Sequence, residues 1–306
     1  MARVRSGHPK RIAMRISTSL PMTKGGTPDV AMARHLEDLG YDSVGVADLI
    51  LGNGTPGFDA PLVLAGVATV TERIALEFGV LTLPLRPTAW VATQTQTLQH
   101  LSGNRVVLGV GIGGFPGSPF WRAVGAPLHG RGRHTDTALQ LLPGLIRGEP
   151  TRVGEEELTL APAAPVPPIF IGGNSEAAMR RAVLYGDGWM PSLISPASLA
   201  NAAARLREIA HEADRPVPAI SVGGHGTLTD DRAAVESITR TLVDVHGMSP
   251  EEAAAVLVVG GPPQVAEHLH AYAEAGATTV GLSLDGENWP HQTETLAEAR
   301  SLLHHP

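Results

Sequence analysis

Residues 105–114, RVVLGVGIGG, carry the reading that decides the fold. Val106, Val107 and Leu108 are β-formers with no polar residue alternating between them. Such a run is a parallel strand buried on both faces. Gly109, Gly111, Gly113 and Gly114 then strip the side chains from the strand's end. Backbone without Cβ admits something flat or anionic at close range. The letters also fit GxGxxG at Gly109, Gly111 and Gly114, a dinucleotide fingerprint. That fingerprint needs a helix to open inside it, whereas FPGSPFW follows, and its two prolines argue against a helix there. The dinucleotide reading is therefore set aside. A tight exit from a sheet with nothing bound is the plainer alternative.

The chain has 306 residues, of which 43% are hydrophobic and 17% charged. That is a globular composition, long enough for one large α/β barrel. Its formal charge of -7 argues against nucleic acid or an anionic membrane as partner. There is no cysteine, so disulfides, thiolate chemistry and cysteine metal sites are excluded, and a reducing cytoplasm is the natural setting. The start, MARVRSGHPKR, is basic but has no apolar stretch behind it, unlike a signal peptide. Residues 1–10 read as a flexible tail and 11–306 as a single domain. The longest apolar run, 253–259, is too short to span a bilayer.

Apolar runs and helical stripes alternate along the chain. Strands are expected at 11–17, 43–47, 73–82, 105–114, 169–171, 189–190, 219–222 and 278–284. Helices are expected at 27–39, 60–70, 88–101, 131–147, 174–185, 196–213, 230–245, 262–275 and 291–303. Thr27-Pro28 reads as the first helix's cap, and a small hairpin is expected at 151–160. Eight strands alternating with helices give a (β/α)8 TIM barrel, with a doubly wound sheet as the alternative.

In a barrel the strand ends meet on one face, where active sites lie. Most of these ends are small or polar: 17–19, Asp48, Gly79-Val80, 111–114, 172–174 and 223–225. Gly172, Gly173, Asn174 and Ser175 sit at a helix start, where free N–H groups and the positive dipole end suit an anion. An ordinary helix cap is the bland alternative.

Several segments together resemble the bacterial luciferase-like superfamily of flavin- and deazaflavin-dependent oxidoreductases. They are LEDLGYDSVGVAD (36–48), RIALEFGVLTLPLRPT (73–88), LQHLSGNRVVLGVGIGG (98–114), RGRHTD (131–136), PPIFIGGNSEAAMRRAVLYGDGWMP (167–191) and VGGPPQVAEHLHAYAEAGATTVGL (259–282). The resemblance implies a TIM barrel, a homodimer, and an isoalloxazine-type ring across the barrel's C-terminal mouth. It implies that the ring rests on Gly79 and Val80, joined by a cis peptide. Gly111, Ile112, Gly113 and Gly114 would border the ring, and Gly172, Gly173, Asn174 and Ser175 would hold the phosphate. The compact length is similar to the branch that uses coenzyme F420, an 8-hydroxy-5-deazaflavin; FMN is the alternative.

Two departures from that branch bear on the chemistry. Its sugar-phosphate dehydrogenases carry Asp-His after strand two and Glu after the strand-four glycines; here stand Asp48-Leu49 and Gly114. Alcohol oxidation needs a placed acid and base, so its loss points to a reductase. Reduced F420 would give hydride to an activated C=C or C=N bond of a small or peptide-borne substrate. The alternatives are a two-component FMN monooxygenase and a non-catalytic flavin-binding protein. Asp48 and His225 are the catalytic candidates, against a loop salt bridge and a solvent-facing histidine. Arg131, with Arg133, His129 and His134, would meet cofactor phosphate or its acidic tail, or else lie at the dimer surface. Phe115, Phe120 and Trp121 would wall the pocket or pack in the core, and Trp189 reads as core. The terminal His304-His305 pair lacks a carboxylate at ligand spacing, so no metal site is expected.

Overall fold

A computed structural model describes residues 14–229 and 231–303. The tail at 1–10, the first residues of strand 11–17 and the His304-His305 pair lie outside these. The strands are β1 (Arg15–Ser19), β2 (Ser43–Val46), β3 (Ala75–Phe78), β4 (Leu81–Thr82), β5 (Val106–Gly111), β6 (Thr151–Val153), β7 (Glu156–Leu158), β8 (Ile169–Gly172), β9 (Gly188–Met190), β10 (Ala219–Thr227), β11 (Val258–Val259) and β12 (Thr279–Leu284). The helices are α1 (Met32–Asp38), α2 (Ala60–Val70), α3 (Thr88–Ser102), α4 (Pro119–Ala123), α5 (Arg131–Ile146), α6 (Glu176–Tyr185), α7 (Pro196–Glu212), α8 (Arg232–His246), α9 (Pro250–Val256), α10 (Pro262–Glu274) and α11 (Trp289–Leu302).

The barrel closes with every pair parallel, in the order β1, β2, β3/β4, β5, β8, β9, β10, β12 and back to β1. This is the expected (β/α)8 barrel, and β6–β7 is the expected outlying hairpin, turning at Gly154. Outward strand residues such as Ile16, Val44, Leu76, Leu108, Ile171 and Val280 are buried under the helix ring. Burial of this apolar layer drives the fold.

Three local expectations are corrected. Thr27 and Pro28 do not cap α1: Met22 bridges to Pro28, Asp29 N–H donates to the Pro21 carbonyl, and α1 begins only at Met32. Strand 73–82 is broken, because β3 stops at Phe78 and the Gly79–Val80 peptide is cis. In FPGSPFW the second proline does open a helix: Pro119 takes the first position of α4, where its missing N–H loses nothing. That helix starts beyond the glycines, so the dinucleotide reading still fails.

Two of the glycines of RVVLGVGIGG, Gly109 and Gly111, face the break in β3. Val80 packs across the neighbouring strands. A Cβ added to Gly111 would lie 2.8 Å from Val80 Cγ2, and one on Gly172 would lie 3.0 Å from Val80 Cγ1. A Cβ on Gly109 would collide with the Phe78 carbonyl oxygen. Gly79 faces the other way, with nothing within 4 Å of an added Cβ.

Gly111→Ala is expected to lower stability by about 1–3 kcal/mol through overpacking. Val80→Ala in the same chain should recover most of that loss, as urea unfolding midpoints will show. Two losses that simply add would place the constraint elsewhere.

Candidate active site

Barrel interiors are commonly filled by bulky branched side chains. Here inward positions on five strands are Ser17, Gly45, Glu77, Ser221 and Gly281, and they leave a cavity of about 330 Å³ open at the C-terminal mouth. Gly79 and His225 both line it, so two of the expected site residues converge.

His225 stands on a strand, not in the loop the sequence suggested. β10 runs on through its glycines because it pairs with β12 as far as Gly226 opposite Leu284. Ser221, Gly223 and His225 therefore share the inward face, as alternate strand residues must. His225 Nδ1 lies 2.6 Å from Asp285 Oδ2. An ionised carboxylate only accepts, so Nδ1 carries the proton and Nε2 remains for a bound molecule. His246, at the end of α8, lines the same cavity with its ring centroid 6.2 Å from that of His225. Burial, then the charge of His225, lowers the His246 pKa. Sequence reading missed Asp285 and His246. Asp285 follows strand eight and was visible as one more strand end; His246 arrives on a helix with no local signal.

Asp48 is withdrawn into the protein. Its carboxylate receives both Arg86 guanidinium nitrogens, at 2.5 and 2.8 Å, and the Thr82 N–H at 3.0 Å. Arg86 also reaches Asp59, the cap of α2, at 2.9 Å. The Asp48 side chain is fully buried, so it clamps β2, β4 and α2 and does not face the mouth cavity. This corrects its placement as a catalytic group: a buried bidentate pair satisfies it completely.

Gly111, Ile112, Gly113 and Arg131 form an adjoining stretch of rim, outside the lining of the mouth cavity. Arg131 is committed to that rim: its Nη1 donates to the Ile112 carbonyl at 3.1 Å and to the Gly113 carbonyl. Its guanidinium also lies 5.7 Å from the centroid of the Trp121 ring. Trp121 is buried and packs on Gly113 at φ +80°, while Phe115 is exposed. Trp189 is core, with Nε1 donating to the Gly173 carbonyl at 2.7 Å.

At the α6 start, Ser175 caps the helix by accepting from Ala178 N–H at 3.2 Å. Asn174 instead pairs with Ser192 through both amide atoms, at 2.8 and 3.0 Å. An anion here would meet backbone N–H groups of Gly172–Ser175 and the first turn of α6. Glu176 in that turn is held by Arg205 and Arg180, whose hydrogen bonds push its pKa down to about 2. These arginines offset an acid that would otherwise repel a phosphate. Among the described residues no group of three or more His, Asp or Glu could hold a metal ion, and no helix is long and apolar enough to cross a membrane.

The model of the luciferase-like monooxygenase family matches residues 14–279. The chain belongs to this family. An uncharacterised protein from Mycobacterium tuberculosis is 33% identical over 215 residues, covering 62% of this chain and 73% of its own. The 4-hydroxyprotoasukamycin monooxygenase of Streptomyces nodosus subsp. asukaensis is 32% identical over 168 residues, covering 52% of this chain and 45% of its own. Among solved structures, an F420-dependent secondary alcohol dehydrogenase in complex with an F420-acetone adduct superposes with a TM-score of 0.78 at 17% identity, covering 94% of this chain and 98% of that one. The oxygenating constituent of 3,6-diketocamphane monooxygenase from Pseudomonas putida, in complex with FMN, superposes with a TM-score of 0.75 at 18% identity, covering 95% and 98%. The luciferase-like fold thus serves both deazaflavin and flavin enzymes, and this luciferase-like chain is a member of an oxidoreductase family.

In a His225→Gln protein, the His246 pKa is expected to rise toward the ordinary histidine value, because one lowering influence is gone. An NMR pH titration of the His246 ring reads this directly; an unchanged midpoint would show that the two histidines do not sense each other.

Proposed function

We propose that this chain is a coenzyme F420-dependent reductase that delivers hydride to an activated C=C or C=N bond of a small or peptide-borne substrate. The observation that carries the reading is the convergence of Gly79 and the His225–Asp285 pair on one cavity. Gly79 presents bare backbone to open space, as a flat ring would need. The cavity volume lies in the range of small-molecule sites. When bound, the reduced deazaflavin supplies the hydride. The chain's own part is to orient the acceptor and furnish one proton. Asp285 fixes the His225 ring through Nδ1, and Nε2 is left to accept a hydrogen bond that orients the acceptor. The burial of Asp48 against Arg86 supports the loss of the Asp-His base of the related dehydrogenases.

A second reading, a monooxygenase using reduced FMN and oxygen, is favoured by the 32% identity to the Streptomyces enzyme. A homodimer is part of either reading. Leu62 on α2 and Trp90 on α3 are 74% and 63% exposed on adjacent helices, the kind of apolar surface a second copy would cover. Sedimentation is expected to give a dimer that Leu62→Asp weakens; a monomer at all concentrations would refute it.

The purified protein is expected to bind oxidised F420 with micromolar affinity in a fluorescence titration, and more tightly than FMN. Tight FMN binding with oxygen uptake would select the second reading, and absence of F420 binding would end the first. With a turnover assay in hand, His225→Ala should lower kcat about a hundredfold or more.

A further inference from the structure

The barrel is hollow at both ends of its axis. A second cavity, of about 240 Å³, opens at the N-terminal face and is lined by Arg15, Ser43, Ala75 and Ala219 among others. Glu77 and Ser221 are the residues that line both this cavity and the mouth cavity. Glu77 thus stands in the floor between them, two residues before Gly79 on the same inward face. The Ser43 hydroxyl, on the lower side, donates to Glu77 Oε2 at 2.8 Å. Gly45 lies opposite Glu77 on β2 and carries no side chain to seal the axis.

Resting on the reading above, we propose that Glu77 is a proton relay that connects the N-terminal cavity to the acceptor bound in the mouth. The Glu77 O–H bond breaks as a new bond to hydrogen forms on the acceptor. The carboxylate then regains a proton from hydronium reaching it through the lower cavity. No group is oxidised or reduced in this step, and the hydride comes separately from the reduced cofactor. Burial pushes the Glu77 pKa up, against the Ser43 hydrogen bond and the charge of Arg15, so the carboxyl keeps a proton to higher pH than an exposed glutamate.

The other charged groups around it are already engaged or stand apart. Below, Arg15 comes from β1, Asp42 precedes β2 and Asp187 precedes β9. Asp42 accepts from Ile16 N–H and Arg300, and Asp187 from Ile169 N–H. Above, His225 comes from β10 and His246 from α8. Glu77 is the carboxyl that lines the mouth cavity.

Two measurements decide the matter. The first needs no cofactor: infrared spectra of the intact protein at neutral pH should show the carbonyl stretch of a protonated carboxyl that Glu77→Gln removes. The second uses whichever of reduced F420 or reduced FMN the protein turns over. Glu77→Gln should lower kcat about a hundredfold with KM unchanged, and Glu77→Asp should restore much of it. Ala219→Leu, which fills the lower cavity, should lower kcat and raise the solvent deuterium isotope effect, a response that a purely structural Glu77 would not give. An ionised Glu77 at neutral pH, or a Glu77→Gln enzyme with unchanged kcat, overturns the relay. Failure to bind F420 with the infrared band present counts against the cofactor reading and not against the proton held at Glu77.

Discussion

Everything at the mouth of this barrel depends on Val80 packing against strands that have no side chains in its way. Gly109, Gly111 and Gly172 clear the space on β5 and β8. Val80 occupies it, and Gly79 is left with its backbone toward the cavity. Gly79 N–H keeps a hydrogen bond to the Val46 carbonyl, so the break in β3 is anchored to β2. The Asp48–Arg86 pair fixes the next turn of the chain by gripping Thr82 N–H. A platform made this way is rigid without presenting a side chain to its ligand, which suits a flat ring.

The same economy of side chains runs down the axis. Stability comes from the outward layer, where Ile16, Val44, Leu76, Leu108 and Val280 meet the helices. Toward the mouth, the inward positions of β1, β2, β3, β10 and β12 are released from packing, and serine, glycine and one glutamate stand there. The two faces of one sheet therefore do different work: one folds the protein, and the other holds polar groups and space. The His225–Asp285 pair belongs to the second face, and β10 can carry it because pairing with β12 continues past the glycines.

The barrel was legible in the sequence because its signals are local. Apolar runs such as VVL at 106–108 and stripes such as Leu199, Ala203 and Leu206 declare strand or helix without tertiary help. The site was only half legible. RVVLGVGIGG announced close approach, but what approaches is Val80, a residue of the same chain. Asp48 read as a reactive strand-end acid because its partner, Arg86, is distant in sequence. Arg131 read as a free cation, yet it is spent on the carbonyls of Ile112 and Gly113. Hydrogen bonds across 19 to 38 positions leave no spacing pattern to find. Glu77 escaped notice because a single carboxylate in a strand reads as a solvent-facing residue, and only barrel closure turns it inward.

The central claim is that the cavity between Gly79 and His225 is the deazaflavin site. A crystal structure of the protein with oxidised F420 tests it most directly. The account requires the ring against the Gly79 backbone, with His225 lining the space left for substrate. A ring seated elsewhere, or a mouth cavity empty at saturating cofactor, would contradict it.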